Sequence, residues 1–328
     1  MKRRIILCLL ALLFISGCTS PPAGREPAEY SETREMIGTF ITVTVYAVDE
    51  QTALQAINAS FAEMTRLGEE LSHYSKSNRV YELNTVGYER PVELTPDLAY
   101  VLNASLYYSN LSSGAFDVTV QPLLILWERM KQGEPAPTGE EVAGTLAHVG
   151  YRYLQFNGSH AWFTKPNMSV TFGGIAKGYM VDKGLAVLRE LGIEHALINA
   201  GGQVGAFGGK EGDAPWTIAL KNPRNQSDYI TLINLTDGAI ATSGDYERYY
   251  TPDMKAHHIM NPKTGYSATE LMSATVTAKT GIDADALSTS VFVLGPDEGI
   301  KLAEKLTDVE ALVITENKTI IKTSEFRF

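Results

Sequence analysis

The stretch SVTFGGIAKGYMVDKGLAVLRELGIEHALI, residues 169–198, decides the fold because it passes from strand to helix and back to strand. Its first four residues predict a strand, and Gly173-Gly174 predicts a turn. Apolar spacing then predicts a helix from Ile175 to Leu191, closed by Gly192, before a strand around 196–198. Glycines between a strand and a helix N-terminus let a ligand approach the exposed backbone N–H groups. The same spacing also fits an ordinary tight connection.

Strands and helices alternate on both sides of this stretch. Alternating residues predict a strand at 37–48, and three- and four-residue spacing predicts a helix from Leu54 to Leu71. Three other helices are predicted: one begins at Thr95-Pro96, one begins with a Thr138–Glu141 capping box, and one runs from Gly281 to Leu294. The other predicted strands are 216–220, 229–235, 272–278 and a hairpin at 311–323. This mixture of hairpins and helices predicts an α+β fold rather than a doubly wound parallel sheet.

The two common nucleotide-binding signatures are absent from the sequence. No two glycines lie two positions apart, so Gly-x-Gly-x-x-Gly does not occur. Gly209-Lys210 is followed by Glu211, which excludes a Walker loop there. The motifs therefore indicate neither a Rossmann nor a P-loop fold.

The N-terminal sequence predicts export and lipid attachment. Positive residues 2–4 precede an apolar run at 5–15 that is too short to span a bilayer. The run ends in Ile-Ser-Gly before Cys18, as in a bacterial lipobox. We expect residues 1–17 to be a removed signal peptide, Cys18 to carry lipid, residues 18–35 to form a flexible tether, and 36–328 to form a single domain on the extracytoplasmic side of a membrane. The alternatives are a plain secretory signal with an incidental cysteine and an uncleaved anchor.

Composition limits the possible ligands. The chain has 28 basic and 38 acidic side chains, and this balance disfavours a nucleic-acid partner. A phosphate-bearing ligand therefore needs a local cation or a helix N-terminus. Cys8 and Cys18 are the only cysteines, so the body beyond them has no disulfide and no thiolate metal site.

A carboxylate and a hydroxyl are spaced for one helix face near the C-terminal end. Asp285 and Thr289 lie four residues apart in the helix predicted from Gly281. Hard oxygen donors of this kind suit Mg²⁺, which keeps few protein ligands and completes its shell with water and phosphate oxygens. Helix capping by Asp283, or a bond from Thr289 to its own helix, would explain the same residues.

Four further clusters could place polar or aromatic groups beside a ligand. They are Leu71–Tyr74 at a helix end and three loop-like segments, 114–117, 241–246 and 257–265. Adjacent histidines in a strand point to opposite faces, so at most one of His257 and His258 should share a site with a given partner. We expect His73, His148, His160 and His195 to have ordinary surface or core roles.

Taken together and in this order, these segments resemble the ApbE family, the FAD:protein FMN transferases. The resemblance runs from about Glu35 to the C-terminal hairpin. It rests on Gly114-Ala115-Phe116-Asp117, Gly174-Ile175-Ala176-Lys177-Gly178-Tyr179, Ala241-Thr242-Ser243-Gly244-Asp245-Tyr246, His258 through Gly265, and Ala284-Asp285-Ala286-Leu287-Ser288-Thr289.

The resemblance implies an ApbE-like α+β fold and a set of site residues. It implies Mg²⁺ held by the Gly174 carbonyl, Asp285 and Thr289. It implies FAD contacts at Tyr74, Ala115, Phe116, Asp117, Thr171, Lys177, Ile259 and Ser288. Family members transfer FMN from FAD to a threonine or serine hydroxyl of a partner protein and release AMP; their usual partners are flavin-carrying subunits of membrane redox complexes. We predict His258 as the general base because its pKa suits proton transfer, with Asp245 in reserve.

The sequence departs from the family pattern at three places. Ile37-Gly38-Thr39 stands where the family has Met-Gly-Thr, so that contact is not carried over. Thr171 and Asn261 each stand where Asp is usual. The alternatives that remain are a Mg²⁺-dependent FAD pyrophosphatase, a non-catalytic FAD-binding lipoprotein and the solute-binding lipoprotein of a transporter.

Overall fold

The computed structural model describes residues 26–210 and 214–327. The predicted signal peptide and the lipid-bearing Cys18 lie outside these residues, as does most of the predicted tether. Within the described ranges, no helix has the length and apolar character needed to cross a bilayer.

The centre of the fold is an eight-stranded sheet in which every neighbouring pair is antiparallel. Its strands, in spatial order, are β1 (Ala28–Met36), β2 (Thr39–Ala47), β6 (Ala196–Ala200), β7 (Gln203–Phe207), β10 (Gly238–Gly244), β11 (Leu271–Ala278), β12 (Glu310–Thr315) and β13 (Ile320–Lys322). A smaller sheet has the order β3 (Val92–Glu93), β5 (His160–Phe163), β4 (Leu154–Phe156). In β2 the alternating Ile41, Val43 and Val45 are fully buried, as predicted.

The α-helices of the described residues are α1 (Glu50–Glu70), α2 (Arg79–Val86), α3 (Pro96–Leu111), α4 (Gln121–Glu128), α5 (Gly139–Leu146), α6 (Ala176–Glu190) and α7 (Gly281–Glu304). Of these, α1, α6 and α7 cover one face of the main sheet. The predicted caps are present: Thr95 caps α3, and Thr138 and Glu141 form the capping box of α5. Helices α1, α6 and α7 pack side by side above the strands, and apolar side chains from both layers form the main core. The predicted α+β class is confirmed.

A long hairpin covers the other face of the main sheet. Strands β8 (Trp216–Asn222) and β9 (Asn225–Leu235) pair antiparallel. Trp216 packs with Val204, Ile240 and Leu312 in a second apolar core on that side. The sheet is therefore buried on both faces, as its apolar central strands require.

The predicted tether is wrong over residues 28–35, which belong to β1. That strand pairs with β2 over its whole length. Hydroxyls join the two strands, with 2.9 Å between Ser31 Oγ and Thr44 Oγ1 and 2.8 Å between Thr33 Oγ1 and Thr42 Oγ1. An edge strand with polar alternate residues has the composition of a linker, so its sequence alone was misleading.

The strand predicted at 169–172 is also wrong, because other groups satisfy its backbone. The side-chain amide of Asn84 makes the two hydrogen bonds that a neighbouring strand would make. It donates to the Val170 carbonyl at 2.9 Å and accepts from the Val170 N–H at 2.7 Å. The Thr171 N–H donates to the Val118 carbonyl at 2.8 Å. The segment therefore belongs to no sheet of the described residues.

Two further boundaries differ from the prediction. Residues 241–244, interpreted as loop-like, lie in β10 between β7 and β11, where Ala239 and Ala241 pack against Ala284 of α7. The helix from Gly281 breaks at Gly295, as predicted, with φ 80° and ψ −176°. The chain then resumes a helical path through Pro296 to Glu304, because proline is well accommodated in a first helical turn.

Candidate active site

A cavity of about 650 Å³ opens where the N-terminal end of α6 meets α7 and the end of β10. It is lined by the predicted base His258 and by all but one of the residues for which the resemblance implies a metal or FAD contact: Tyr74, Ala115, Phe116, Asp117, Thr171, Gly174, Lys177, Ile259, Asp285 and Thr289. The fold brings them together from segments more than two hundred residues apart in sequence.

Close contact between α6 and α7 sets the geometry of the site. A Cβ on residue 178 would lie 2.0 Å from the Gly281 carbonyl oxygen and 2.8 Å from Asp285 Cβ, so only glycine fits at this crossing. The Gly178 N–H donates to Asp285 Oδ2 at 2.9 Å. The crossing therefore holds the Asp285 carboxylate against the first turn of α6.

The oxygen donors predicted for the metal are adjacent and fit a magnesium site. A Cβ on Gly174 would lie 3.0 Å from Thr289 Oγ1, so the Gly174 backbone lies beside that hydroxyl. Asp285 Oδ1 accepts from Gln203 Nε2 at 3.2 Å, and Gln203 Oε1 is buried without a hydrogen-bond partner. Within residues 26–210 and 214–327, no group of three or more His, Cys, Asp or Glu side chains could hold a metal ion. One carboxylate with hydroxyl and carbonyl oxygens is instead the small, hard donor set that Mg²⁺ accepts.

The charges at this point depend on each other. Burial raises the pKa of Asp285, while Lys177, the Gly178 N–H and the Gln203 amide act to lower it. Burial lowers the pKa of Lys177, and Asp285 acts to raise it. Both groups are thus poorly solvated, and a bound cation and a phosphate would each supply the counter-charge that the buried site lacks.

His258 is oriented as a base. Its Nδ1 lies 3.0 Å from the Arg248 carbonyl oxygen, which can only accept, so Nδ1 carries the proton and Nε2 is left basic. Burial, followed by the positive charge of Arg248, holds the pKa of His258 well below its ordinary value. The imidazole is therefore neutral at pH 7.

Its neighbour His257 has a structural role. His257 Nε2 bonds to the Ala268 carbonyl at 2.8 Å, and Nδ1 accepts from the Ile259 N–H at 3.2 Å. This ring is buried and does not line the cavity. Only one of the two adjacent histidines thus faces the site, as predicted.

Two predicted residues lie behind the cavity wall. Ser288 does not line the cavity: it is fully buried, 2.9 Å from Ser243 Oγ, and donates to the Asp285 carbonyl. Asp245, the reserve base, does not line it either, because its carboxylate forms a two-bond ion pair with Arg224 at 2.7 and 2.6 Å. Neither side chain can reach a ligand in this arrangement.

Asp117 lines the cavity, but its carboxylate is already engaged. It accepts from the Thr119 N–H at 2.8 Å, from the Thr119 hydroxyl at 2.6 Å and from the Tyr151 N–H at 2.8 Å. The side chain therefore fixes the shape of the 114–119 loop, and the loop backbone is the part that remains free to contact a ligand.

Three of the cavity-lining residues that sequence reasoning missed are His73, Ile37 and Arg248. His73, expected to have an ordinary role, lies with Nδ1 3.2 Å from Thr171 Oγ1 and with its ring 3.9 Å from that of Tyr74. Ile37 lines the mouth with a φ of 48°, in a two-residue turn between β1 and β2. The signal for Ile37 was the Ile-Gly pair between two alternating segments. Nothing in the sequence marked Arg248, the third.

Comparison with known proteins identifies the family of this chain. The model of the ApbE family matches residues 37–313. The FAD:protein FMN transferase of Haemophilus influenzae is 35% identical over 264 residues, covering 77% of this chain and 75% of the relative. The FAD:protein FMN transferase of Vibrio cholerae is 30% identical over 312 residues, covering 92% of this chain and 91% of the relative.

Solved structures are similar over nearly the whole chain. The ApbE protein of Thermotoga maritima superposes with a TM-score of 0.83 at 31% identity, covering 90% of this chain and 97% of that one. The flavin transferase ApbE of Vibrio cholerae gives 0.79 at 27% identity, covering 92% and 98%. The mixed architecture predicted from the motifs is confirmed, and the chain belongs to the ApbE family.

Proposed function

We propose that this chain is an FAD:protein FMN transferase that uses Mg²⁺ to move FMN from FAD to a threonine or serine hydroxyl of a partner protein, with release of AMP. The names of the relatives support flavin transfer. The observation that carries the finer proposal is one cavity that joins a magnesium-type oxygen donor set to a neutral, oriented histidine.

The chemistry is a displacement at the FMN phosphorus. The acceptor oxygen forms a bond to phosphorus, the bond from phosphorus to the bridging oxygen breaks, and AMP leaves with the electron pair. His258 Nε2 takes the proton of the hydroxyl. Mg²⁺ held by the Gly174 carbonyl, Asp285 and Thr289 would neutralise charge on the phosphates. The Lys177 ammonium and the N-terminal N–H groups of α6 stabilise the same negative charge.

The metal assignment is tested with Asp285→Asn, which keeps the side-chain size and removes the charge. Changes to outer-shell partners alone cost about 10–100-fold, so loss of a ligand should lower Mg²⁺-dependent transfer by at least that factor. Covalent flavin on the acceptor and AMP are measured across a Mg²⁺ titration. An unchanged rate at ordinary Mg²⁺ concentration would show that Asp285 is no ligand.

The base assignment is tested with His258→Gln. A general base contributes about 10²–10⁴-fold, and the transfer rate should fall by that factor. His160→Gln in β5, outside the cavity lining, is the matched control and should keep the native rate. A His258→Gln enzyme that transfers at the native rate would refute the assignment.

Two alternatives give different products in the same assay. A pyrophosphatase would release AMP and free FMN without labelling the acceptor, since water would replace the hydroxyl. A flavin-binding carrier would bind FAD and leave it intact at every Mg²⁺ concentration. Covalent flavin in proportion to AMP supports the transferase over both. A flavin-carrying subunit of a membrane redox complex is the acceptor we propose for this test.

We also propose that the chain is exported and anchored to a membrane through lipid on Cys18. The lipobox-like sequence before that cysteine supports this proposal. Native protein should incorporate labelled fatty acid in bacterial cells and sediment with membranes, whereas Cys18→Ala should do neither. Equal labelling of the two proteins would refute the proposal.

A further inference from the structure

Arg248 is a cavity residue that no motif indicated. It follows the end of β10 by four residues, and its side chain lines the cavity. Its guanidinium makes no hydrogen bond or ion pair with any residue of the described ranges, whereas Arg224 and Arg66 are tied to carboxylates. A free guanidinium at a ligand cavity has five donors available.

The position of this guanidinium points to the phosphates. A Cβ on Gly173 would lie 3.9 Å from Arg248 Nη2, so the guanidinium lies beside the turn that carries the Gly174 carbonyl. Lys177 lines the same cavity one helical turn further along. Lys177 and Arg248 are the only lysine and arginine among the cavity-lining residues that the structure describes. They lie on either side of the donors proposed for the metal.

Electrostatic effects agree with this placement. Burial is the main cause that lowers the pKa of His73, of Lys177 and of His258, and the positive charge of Arg248 lowers the pKa of each further. The guanidinium of Arg248 therefore lies close enough to titratable groups of three separate segments to affect the pKa of each. The chain has a net charge of −10, so positive charge concentrated at one cavity indicates an anionic ligand there. The diphosphate is the anionic part of FAD.

The main chain of Arg248 has a second role. Its carbonyl accepts from the His258 N–H at 3.0 Å and from His258 Nδ1 at 3.0 Å. Each of these bonds fixes the orientation of the imidazole, and the second fixes its tautomer. One residue therefore touches both the proposed base and the space where the phosphates would lie.

We propose that Arg248 binds the diphosphate of FAD through its guanidinium and holds His258 in the base tautomer through its carbonyl, so that phosphate binding and base orientation are linked in one residue. This inference rests on the proposed function, since it takes FAD as the ligand. Arginine suits the role because its planar fork matches two phosphate oxygens, which a lysine cannot do.

The experiment separates the two ends of Arg248 by changing only its side chain. Arg248→Gln removes the charge and keeps the carbonyl. The dissociation constants of ADP and FAD, measured with Mg²⁺ by calorimetry, should rise about 10–100-fold, the effect of losing charge-assisted hydrogen bonds. Arg248→Lys should recover part of the loss. Arg327→Gln, which removes the same charge from a side chain that is 89% exposed, should bind as the native chain does.

The His258 side of the proposal has its own readout. The ¹⁵N shifts of the ring should report a proton on Nδ1 in the native chain and in Arg248→Gln, because both keep the carbonyl. At saturating FAD, the lower limb of the pH profile should move to higher pH in Arg248→Gln, because the substitution removes a positive charge that lowers the pKa of His258. A proton on Nε2 in the native chain, or ADP binding by Arg248→Gln within twofold of native, would overturn the inference.

These outcomes are distinct from failure of the proposed function. Native chain that transfers flavin while Arg248→Gln binds ADP normally overturns the role of Arg248 alone. Native chain that binds ADP, loses that binding in Arg248→Gln and transfers no flavin overturns the transferase and leaves Arg248 as a phosphate ligand. Native chain that binds neither ADP nor FAD overturns both.

Discussion

Gly178→Ala should damage the site through the contact between α6 and α7. The new Cβ would meet the Gly281 carbonyl oxygen at 2.0 Å and carbon at 2.4 Å. Both are backbone atoms, which no side-chain rotation can move aside. The two helices must separate by more than about 1 Å to restore ordinary van der Waals contact.

The size of the effect follows from three contributions. Overpacking a core costs about 1–3 kcal/mol, and more where backbone must shift. Weakening the bond from the Gly178 N–H to the buried Asp285 carboxylate costs about 1–3 kcal/mol. Alanine is favoured over glycine in a helix interior by about 1 kcal/mol, which offsets part of this loss. The free energy of unfolding should therefore fall by about 1–5 kcal/mol, with a central value of about 3 kcal/mol.

Two other helical glycines provide matched controls for the same substitution. A Cβ on Gly184, also in α6, would meet only side-chain atoms, with Ile198 Cδ1 nearest at 2.8 Å. A Cβ on Gly144 in α5 would meet nothing within 4 Å. Gly144→Ala should stabilise the protein by up to about 1 kcal/mol, and Gly184→Ala should fall between the two others.

Urea unfolding followed by circular dichroism measures the series. With a slope of about 3 kcal/mol/M for a chain of this size, the midpoint of Gly178→Ala should drop by about 1 M. Its affinity for ADP with Mg²⁺ should fall as well, because Asp285 moves away from Gly174. A midpoint for Gly178→Ala equal to or above that of Gly184→Ala would refute the reasoning.

Three further substitutions have expected outcomes. Burial raises the pKa of Asp182 to about 6, so its contribution to stability is fully present below the unfolded pKa near 4 and is lost as pH rises through about 6. In urea unfolding at each pH, native protein should lose about 3 kcal/mol more than Asp182→Asn between about pH 3 and about pH 7. Ile37→Asn relieves a β-branched residue at positive φ and should raise the urea midpoint while weakening FAD binding in calorimetry, and a lower midpoint would contradict the strain. Thr171→Asp places a carboxylate beside His73, so the pKa of that histidine should rise by about 1–2 units in an NMR titration, whereas no rise would show that the two groups do not face each other.

Local sequence signals predicted the helices well and singled out residues that line one cavity, for a physical reason. Caps such as Thr95 and the Thr138–Glu141 box act within one helical turn, so their spacing alone determines them. The Asp285–Thr289 pair lies on one helix, and its shared face follows from the helical period. Motif order then identified residues from distant segments that the fold brings to one cavity.

The incorrect predictions concern groups whose partners are distant in sequence. Residues 169–172 resemble a strand, but the partner is the side chain of Asn84, which no local pattern reveals. The edge strand β1 is polar enough to resemble a tether. Ser288 follows the helical period of its neighbours, yet Ser243 from β10 covers it. Whether Ser288 is covered depends on which strand packs against α7, and the sequence of α7 alone does not contain that information.

The two faces of the sheet are connected at the loop that carries Arg248. The turn between β8 and β9, on the face away from the cavity, provides Arg224, which binds the buried carboxylate of Asp245 with two bonds. Asp245 is buried whereas the Arg224 side chain is 27% exposed, so the pair adds little net stability, but the buried carboxylate left without its partner would be strongly unfavourable. The pair therefore fixes where β10 ends and the loop begins. Because Asp245 lies three residues before Arg248, the hairpin on the far face constrains the loop whose carbonyl orients His258, and a change in that hairpin can alter the site without touching the cavity.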